Sequence, residues 1–417
     1  MTQENLLDHR QQNKKIKKSL KESIKEMFPI KAGGRRIEIS NITLEDNLGE
    51  TDFPKQKEVK ANRKSWEIPA KADIKILDDS SGKVISKKEN VKIGSIPKIT
   101  NRLSTIIRGN EYQVSNQIRR KPGVFSRKKK NGQLESEFNL EKGANFALNI
   151  DPQKQLFYFS LKTGTRKYHL YNLLSSLDIS ETKIKNEWGE DLFRKNKTRA
   201  LRTERSELVD LYKKLVDKRE VPNKMSEIRK GLRLYFNDTS MDGQVNELTL
   251  GSSYDKASPE SMLAASTKLL KINKGEEKPD ERDSLIYKEI YTPDDLLKEH
   301  FKGNKQTIKR KIQNSLANRD QVREVMSANA FTKPIRTFFT TSDISSTPPQ
   351  TNPVAMATNG RKTTSMGPGG IQSEHAITME TRDVHPSSFG FLDPLSTPEG
   401  PKIGVNIGLA SEVEKKG

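Results

Sequence analysis

Apolar residues recur every three or four positions across 6–28. Ile16, Leu20, Ile24 and Met27 share one face among many lysines, the spacing of an amphipathic helix. Pro29 stops it, and the lysine-rich opposite face reads as solvated. Gly33-Gly34 break the chain before a β-like run over 36–42, and 45–70 is polar and irregular. The period then changes to two. Ala72, Ile74 and Ile76 alternate with Asp73 and Lys75, residues 78–82 have turn chemistry, and Lys83-Val84-Ile85 begins a return strand. Short strands are expected near 103–107, 111–118, 134–140, 145–150 and 155–161.

From 170 to about 330 the helical period returns. Leu201, Leu208, Leu211, Tyr212 and Leu215 fall on one face of a helix ending near Val221-Pro222. Further helices are expected over 224–236, 259–272 and 293–302, with a charged loop at 273–284. Ser258 before Pro259 and Thr292 before Pro293 suit helix starts, since a hydroxyl caps the first turn and proline tolerates it. From 337 to 417 the chain turns rich in Thr, Ser, Pro and Gly. Phe338, Phe339, Ile371, Phe389, Phe391 and Leu395 punctuate it, and its glycines and prolines do not repeat. That combination predicts an ordered, loop-built surface of the kind that carries function. The pattern as a whole predicts a multidomain α+β protein.

Composition narrows the chemistry. At about 150 residues per domain, 417 residues suggest two to four domains. Lys plus Arg is 75 against 55 for Asp plus Glu, a formal net charge of +20. Such a surplus attracts phosphate and favours a nucleic-acid partner. Aromatic residues are only 6%, which disfavours a surface built on base stacking. With no cysteine, disulfides, thiolate metal sites and cysteine nucleophiles are excluded. No apolar run approaches the ~18 residues of a membrane span. MTQENLLDHR has no signal-peptide core, so a cytosolic protein is expected.

No phosphate loop, zinc helix or nucleophile elbow is present. The paired acids Asp78-Asp79 and Asp294-Asp295 are explained by a turn and a helix first turn. Arg119, Arg120 and Lys121 end an alternating run just before Pro122-Gly123. Basic side chains projecting from a rigid strand end suit a phosphate contact. From these residues alone, an ordinary turn with solvated cations, continued through 127–130, is the plainer reading.

A resemblance changes that weighting. Gly109-Asn110-Glu111 through Arg119-Arg120-Lys121-Pro122-Gly123-Val124-Phe125 is similar to the pattern N-G-x-E … R-S-P-G-V-x-F of the beta subunit of multisubunit DNA-directed RNA polymerase. Gly367-Pro368-Gly369-Gly370, Arg382-Asp383-Val384-His385-Pro386 and Thr397-Pro398-Glu399-Gly400-Pro401-Lys402-Ile403-Gly404 resemble, in order, that family's L-G-P-G-G, R-D-V-H-P and T-P-E-G-P-N-I-G. Leu48-Gly49-Glu50 resembles the start of its protrusion region.

The resemblance implies an N-terminal helix over 1–29, a β-rich protrusion over 30–149 with a return segment over 315–340, a mostly α lobe over 150–314, and a loop-rich fork, or active-centre wall, over 341–417. It implies that Arg119, Arg120, Lys121, Arg361, Lys362, Arg382 and Lys402 face nucleic acid. Gly367, Gly369, Gly370, Asp383, His385, Pro398 and Glu399 would wall the active centre, His385 as a packing and hydrogen-bonding residue. No catalytic residue and no cofactor is expected on this chain, because the family's metal-binding aspartates, and hence Mg, lie on beta-prime.

The chain stops at Gly417, shortly after the fork motif, so the resemblance further implies the amino-terminal part of a split subunit, as in giant bacteriophages. It would then act in the cytoplasm of the infected bacterial cell and make RNA only in a multisubunit complex. Its partners would be a C-terminal beta fragment, beta-prime or its fragments, the DNA template, the RNA transcript and a promoter-specificity subunit. Ile403, Val405 and Leu409 are expected to lie exposed until such a partner covers them. A free-standing nucleic-acid-binding regulator reusing the fold is the alternative, and a structural particle protein a third.

Overall fold

Asp8 accepts a hydrogen bond from the Arg10 amide at 2.8 Å and starts the helix His9–Lys25. This helix buries Ile16, Leu20 and Ile24 against an antiparallel sheet of four strands: Ile30–Ala32, Arg35–Leu44, Glu67–Asp78 and Val84–Pro97. The alternation seen around residue 74 is the cause. Ile68, Ala70, Ala72, Ile74 and Ile76 all point inward and are buried, while the lysines between them stay on the wet face. Asp78 accepts from Ser80 and Ser81 and closes the turn to the next strand.

The computed structural model describes all residues except 1–2, 6–7, 47, 49–51, 130, 152, 163, 218–219 and 417. Gly49-Glu50 of the protrusion-like motif, Gly417, and the end of the basic run 127–130 lie outside the described residues. The described chain is an α+β fold that divides into two units, Met1–Arg119 with Lys288–Gly417, and Arg120–Tyr287.

In the first unit the sheet is covered by two later helices. Pro293–Asn318 begins in a capping box, with Thr292 and Asp295 satisfying each other's backbone amides. It continues for 26 residues, well past the end expected near 302. Gly303 interrupts the pattern locally, but Ile308, Ile312 and Leu316 extend the buried stripe of Leu297 and Phe301. Their burial offsets the ~1 kcal/mol that a mid-helix glycine costs. The second helix, Thr332–Thr341, is tied to the sheet by Ser95 N–H donating to Thr332 Oγ1 at 3.0 Å and by Arg336 gripping Glu67 through two bonds of 2.6 and 2.7 Å. The stretch 45–70, expected to be irregular, instead holds a helix at Phe53–Ala61 and the start of the strand Glu67–Asp78. That helix buries only Gln56. With no apolar stripe it leaves no periodicity to read, and its Asp52 cap is what starts it.

In the second unit five strands form an antiparallel sheet in the order Lys167–His169, Leu156–Leu161, Phe146–Asp151, Leu134–Asn139 and Gly123–Lys128. Its inner face carries Phe138, Phe146, Leu148, Phe157 and Phe159. The helices Leu170–Ser176, Glu204–Leu215, Met225–Asn237 and Pro259–Lys274 pack over this face through Leu173, Leu208, Leu232, Phe236, Met262 and Leu269. Leu201, expected on the same face as Leu208, sits beyond the helix Glu190–Ala200 and is 52% exposed. Turns at 201–203 separate it from the helix that buries Leu208 and Leu211.

Candidate nucleic-acid interface

In the first unit the motif segments converge on a second sheet. Its strand order is Lys288–Tyr291, Asn116–Arg120, Lys362–Thr364, Asn406–Leu409 and Leu392–Asp393. Thr363 and Thr364 pair in parallel with Asn116 and Gln117, and the Lys362–Thr364 strand pairs antiparallel with Asn406–Leu409. Segments more than 240 residues apart in the chain are thus locked edge to edge, and two glycine loops leave this sheet.

The first loop, 365–371, is closed on itself. Gly367 N–H donates to Ile371 O, and Gly370 N–H to Gly367 O, both at 3.0 Å. Arg119 holds it from below. Its Nη2 donates to Pro368 O at 2.7 Å, its Nε to Gln117 Oε1 at 2.7 Å, and its Nη1 to Glu299 at 2.8 Å. The guanidinium also lies 4.3 Å from the Tyr291 ring centroid. The side chain is only 11% exposed. Gly369, at φ +77°, passes directly over it. A Cβ there would stand 2.5 Å from Arg119 Cζ, so only glycine lets the loop approach so closely.

The second loop, 397–404, is held in the same manner. Arg382 Nη1 donates to Pro401 O at 2.6 Å and Ile403 O at 2.8 Å. Thr397 Oγ1 accepts from Gly404 N–H at 2.9 Å. Gly404, at φ +70°, has no room for a Cβ against the Arg382 backbone. His385 accepts from the Ser387 amide through Nδ1 and so caps the turn Pro386–Ser388. Pro398 is exposed at the loop's start.

The segments that carry these loops also expose charged side chains without an ion pair among the described residues. Lys362, Lys402, Asp383 and Glu399 are exposed and make no ion pair among the described residues. Arg361 is exposed, and among the described residues its side chain reaches only Ser411 Oγ, at 3.2 Å. The stretch 379–403 also exposes the apolar residues Met379, Val384, Phe389, Phe391, Leu395 and Ile403, with Leu395 90% exposed. The expectation of exposure holds for Ile403 but not for Val405 or Leu409, which are 2% and 3% exposed. Leu409 lies in a strand flanked on both sides, and Val405 is fixed by its carbonyl's bond from Ser365 N–H.

Arg120 and Lys121 open the second unit. Here the sheet's outer face gathers a charged cluster that no motif marks. Glu137 accepts from Arg120 at 3.0 Å, pairs with Lys162, and stands 3.8 Å from Arg282. Glu135 pairs with Arg127 at 3.0 Å and Lys129 at 2.9 Å. Two buried carboxylates are therefore shared by five cations, with Asp283 a further 3.9 Å from Arg282. Burial, together with the charges of Arg120, Arg127 and Arg282, brings the Lys162 ammonium down to about 8, and burial lowers Arg120 too. Lys121 fixes its backbone to Tyr287 O at 2.8 Å. Part of the signal for this cluster was available: Glu135 and Glu137 stand two residues apart on one alternating strand and Arg127 lies on another, with Lys129 just past that strand's end. Only the pairing of Arg127 with Glu135 in register sets them side by side.

A lysine whose folded pKa lies below its unfolded value makes the unfolded chain hold the extra proton between about pH 8 and 10.4. Stability should therefore rise with pH across that window. The rise should be smaller in Lys162→Met, read as the difference in urea midpoint between pH 8 and pH 10. Identical pH dependence in both proteins would remove Lys162 from the cluster's electrostatics.

No group of three or more His, Asp or Glu among the described residues is placed to hold a metal ion, and no helix among them is long and apolar enough to cross a membrane.

Comparison with known proteins agrees with the geometry. The family RNA polymerase Rpb2, domain 3, matches residues 347–414, the segment that carries both glycine loops. Over 410 residues the chain is 26% identical to the DNA-directed RNA polymerase subunit beta of Syntrophomonas wolfei, covering 94% of this chain and 36% of that protein. It is 26% identical to the corresponding subunits of Thermosynechococcus vestitus and Synechocystis, covering 95% of this chain and 37% of each. The chain is thus homologous to RNA polymerase beta subunits over nearly all its length, and it spans little more than a third of the length of these curated relatives.

Proposed function

We propose that this chain does the work of the amino-terminal third of an RNA polymerase beta subunit: it holds the RNA–DNA hybrid and downstream DNA and walls the active centre during template-directed RNA synthesis. The observation that carries this reading is the pair of glycine loops, one held by Arg119 of the sheet and the other by Arg382 of the helical turn Met379–Arg382, together with Lys362 on the sheet, Asp383 after that turn, and Lys402 and Glu399 in the second loop, all exposed and without an ion pair among the described residues. Side chains fixed on a rigid frame but free at their tips meet a phosphate backbone without a large ordering cost. In this reading Arg119 and Arg382 are positioning residues, and direct phosphate contacts fall to Arg361, Lys362 and Lys402. On the other unit Lys121 is the candidate contact, since Arg120 and Lys162 are paired with Glu137. Each charge-assisted contact contributes ~1.5–3 kcal/mol.

Bond formation lies elsewhere. Two metal ions held by partner aspartates would activate the attacking and leaving oxygens, while this chain orients the nucleic acid. The partners are the remainder of the beta sequence, together with beta-prime, template, transcript and a specificity subunit. The exposed apolar residues from Met379 to Ile403 are where the remainder of beta would cover this chain.

Reconstitution tests the proposal. The chain should co-purify with a carboxy-terminal beta segment and beta-prime, and nucleotide incorporation should need all three. Within that set, Lys362→Ala with Lys402→Ala should shorten elongation-complex lifetime at least tenfold at moderate salt and reduce its salt dependence. A monomer that ignores both partners would support a free-standing regulator instead, and unchanged complex lifetime would remove the two lysines from the interface.

A further inference from the structure

The lysine face of the first helix is more than a solvated surface. Lys14, Lys18, Lys21 and Lys25 follow one another at spacings of four, three and four, opposite the buried Ile16, Leu20 and Ile24, and all four are exposed. None makes an ion pair among the described residues, whereas Lys17 on the flank pairs with Asp46 at 2.7 Å. Like charges at these spacings destabilise a helix, so folding alone does not reward the row. A second row lies on the helix Pro293–Asn318, where Lys302, Lys305 and Lys309 repeat the spacing and are likewise unpaired among the described residues. The two helices pack side by side. Ser19 Oγ donates to Asp294 O at 3.3 Å, and Lys298 stands 3.9 Å from Glu22.

We infer that the lysine row of His9–Lys25, with the neighbouring row on Pro293–Asn318, forms a second nucleic-acid surface that tracks the phosphate backbone of a duplex without reading its sequence.

Charge complementarity selects the occupant. The longer row spans about 16 Å at 1.5 Å per residue, with lysines roughly 4.5–6 Å apart, a pitch close to that of successive backbone phosphates. A protein partner would need an apolar anchor, and protein interfaces are depleted in lysine. None of the exposed large apolar residues lies in 8–28 or 293–318. Lysine is a mobile point charge rather than a planar fork, which suits backbone contact over base readout. The surface is separate from the glycine loops, and its test needs no partner subunit.

The full chain is titrated with a fluorescent duplex of random sequence at salt between about 50 and 200 mM. Wild type is compared with K14Q/K18Q/K21Q/K25Q and with a control, K183Q/K195Q/K213Q/K271Q, which removes four exposed charges elsewhere. Removing one phosphate contact lowers the slope of log K against log salt by about 0.9. The slope should therefore fall by roughly 3.6 in the row variant, about 0.9 for each of its four lysines, and by less than 1 in the control. Helical circular dichroism at the wild-type level confirms that the variant is folded. Equal falls in both variants would mean that only net charge matters and would overturn the inference. So would an unchanged slope in the row variant, or loss of poly-glutamate binding with duplex binding intact, which would assign the row to an acidic polypeptide.

Discussion

Glu111→Ala is expected to destabilise the first unit by about 3 kcal/mol, at the lower end for breaking a buried ion pair. The carboxylate is 1% exposed, pairs with Lys60 and Arg102 at 2.9 Å each, and accepts from Ser104. Removing it leaves two cations that reach water only in part. Burial alone would raise this carboxyl, but the hydrogen bonds from Lys60, Ser104 and Arg102 outweigh burial and hold it below its ordinary value. Its contribution is therefore complete above the unfolded value of about 4.3 and fades as pH falls through the lower folded value. Urea unfolding should show the full gap between wild type and Glu111→Ala at pH 7 and a narrowing one toward pH 3. A difference below ~1 kcal/mol at pH 7 would show that the site relaxes and that the acid in this motif is not a structural anchor.

Gly369→Val should lower the activity of the reconstituted polymerase strongly. The new side chain would meet the Arg119 guanidinium at about its own Cβ, and the left-handed backbone adds roughly 1–2 kcal/mol of strain. The loop or the arginine must then move by around an ångström, a displacement that can lower a reaction on the order of 10²-fold. RNA synthesis at saturating nucleotide reads the effect, and hydrogen exchange at the Gly370 amide reports loop opening in the free chain. Gly34→Val is the control. Its φ is also positive, at +71°, but nothing lies within 4 Å of its Cβ, so it should cost stability and leave synthesis near wild type. Equal activity losses in both would mean that strain, not the Arg119 contact, is responsible.

Several elements were legible because their cause is local. The alternation around Ile74 predicts a half-buried strand, and Thr292-Pro293 predicts a helix start. Asp78-Asp79 reads as a turn, and each is found so. The helix Phe53–Ala61 was not legible, because a helix that buries one glutamine has no apolar period. The long helix was half-read, since Gly303 masks a stripe that only core packing reunites. The motif residues were found by resemblance, yet their work was not visible there. Arg119 and Arg382, expected to face nucleic acid, direct donors to the carbonyls of the loops they hold. The shared-carboxylate cluster of Lys162, Arg127 and Arg282 went unseen because its members come from separate strands and a loop.

The sequence by itself determined the positive charge, the change of period from strand to helix, and the order of the glycine-loop motifs, all set by side-chain chemistry and near-neighbour sterics. Tertiary structure decided which cations are free to meet a partner and which are spent on the fold. That choice depends on distances between residues as far apart as 119 and 368, and no spacing along the chain encodes them.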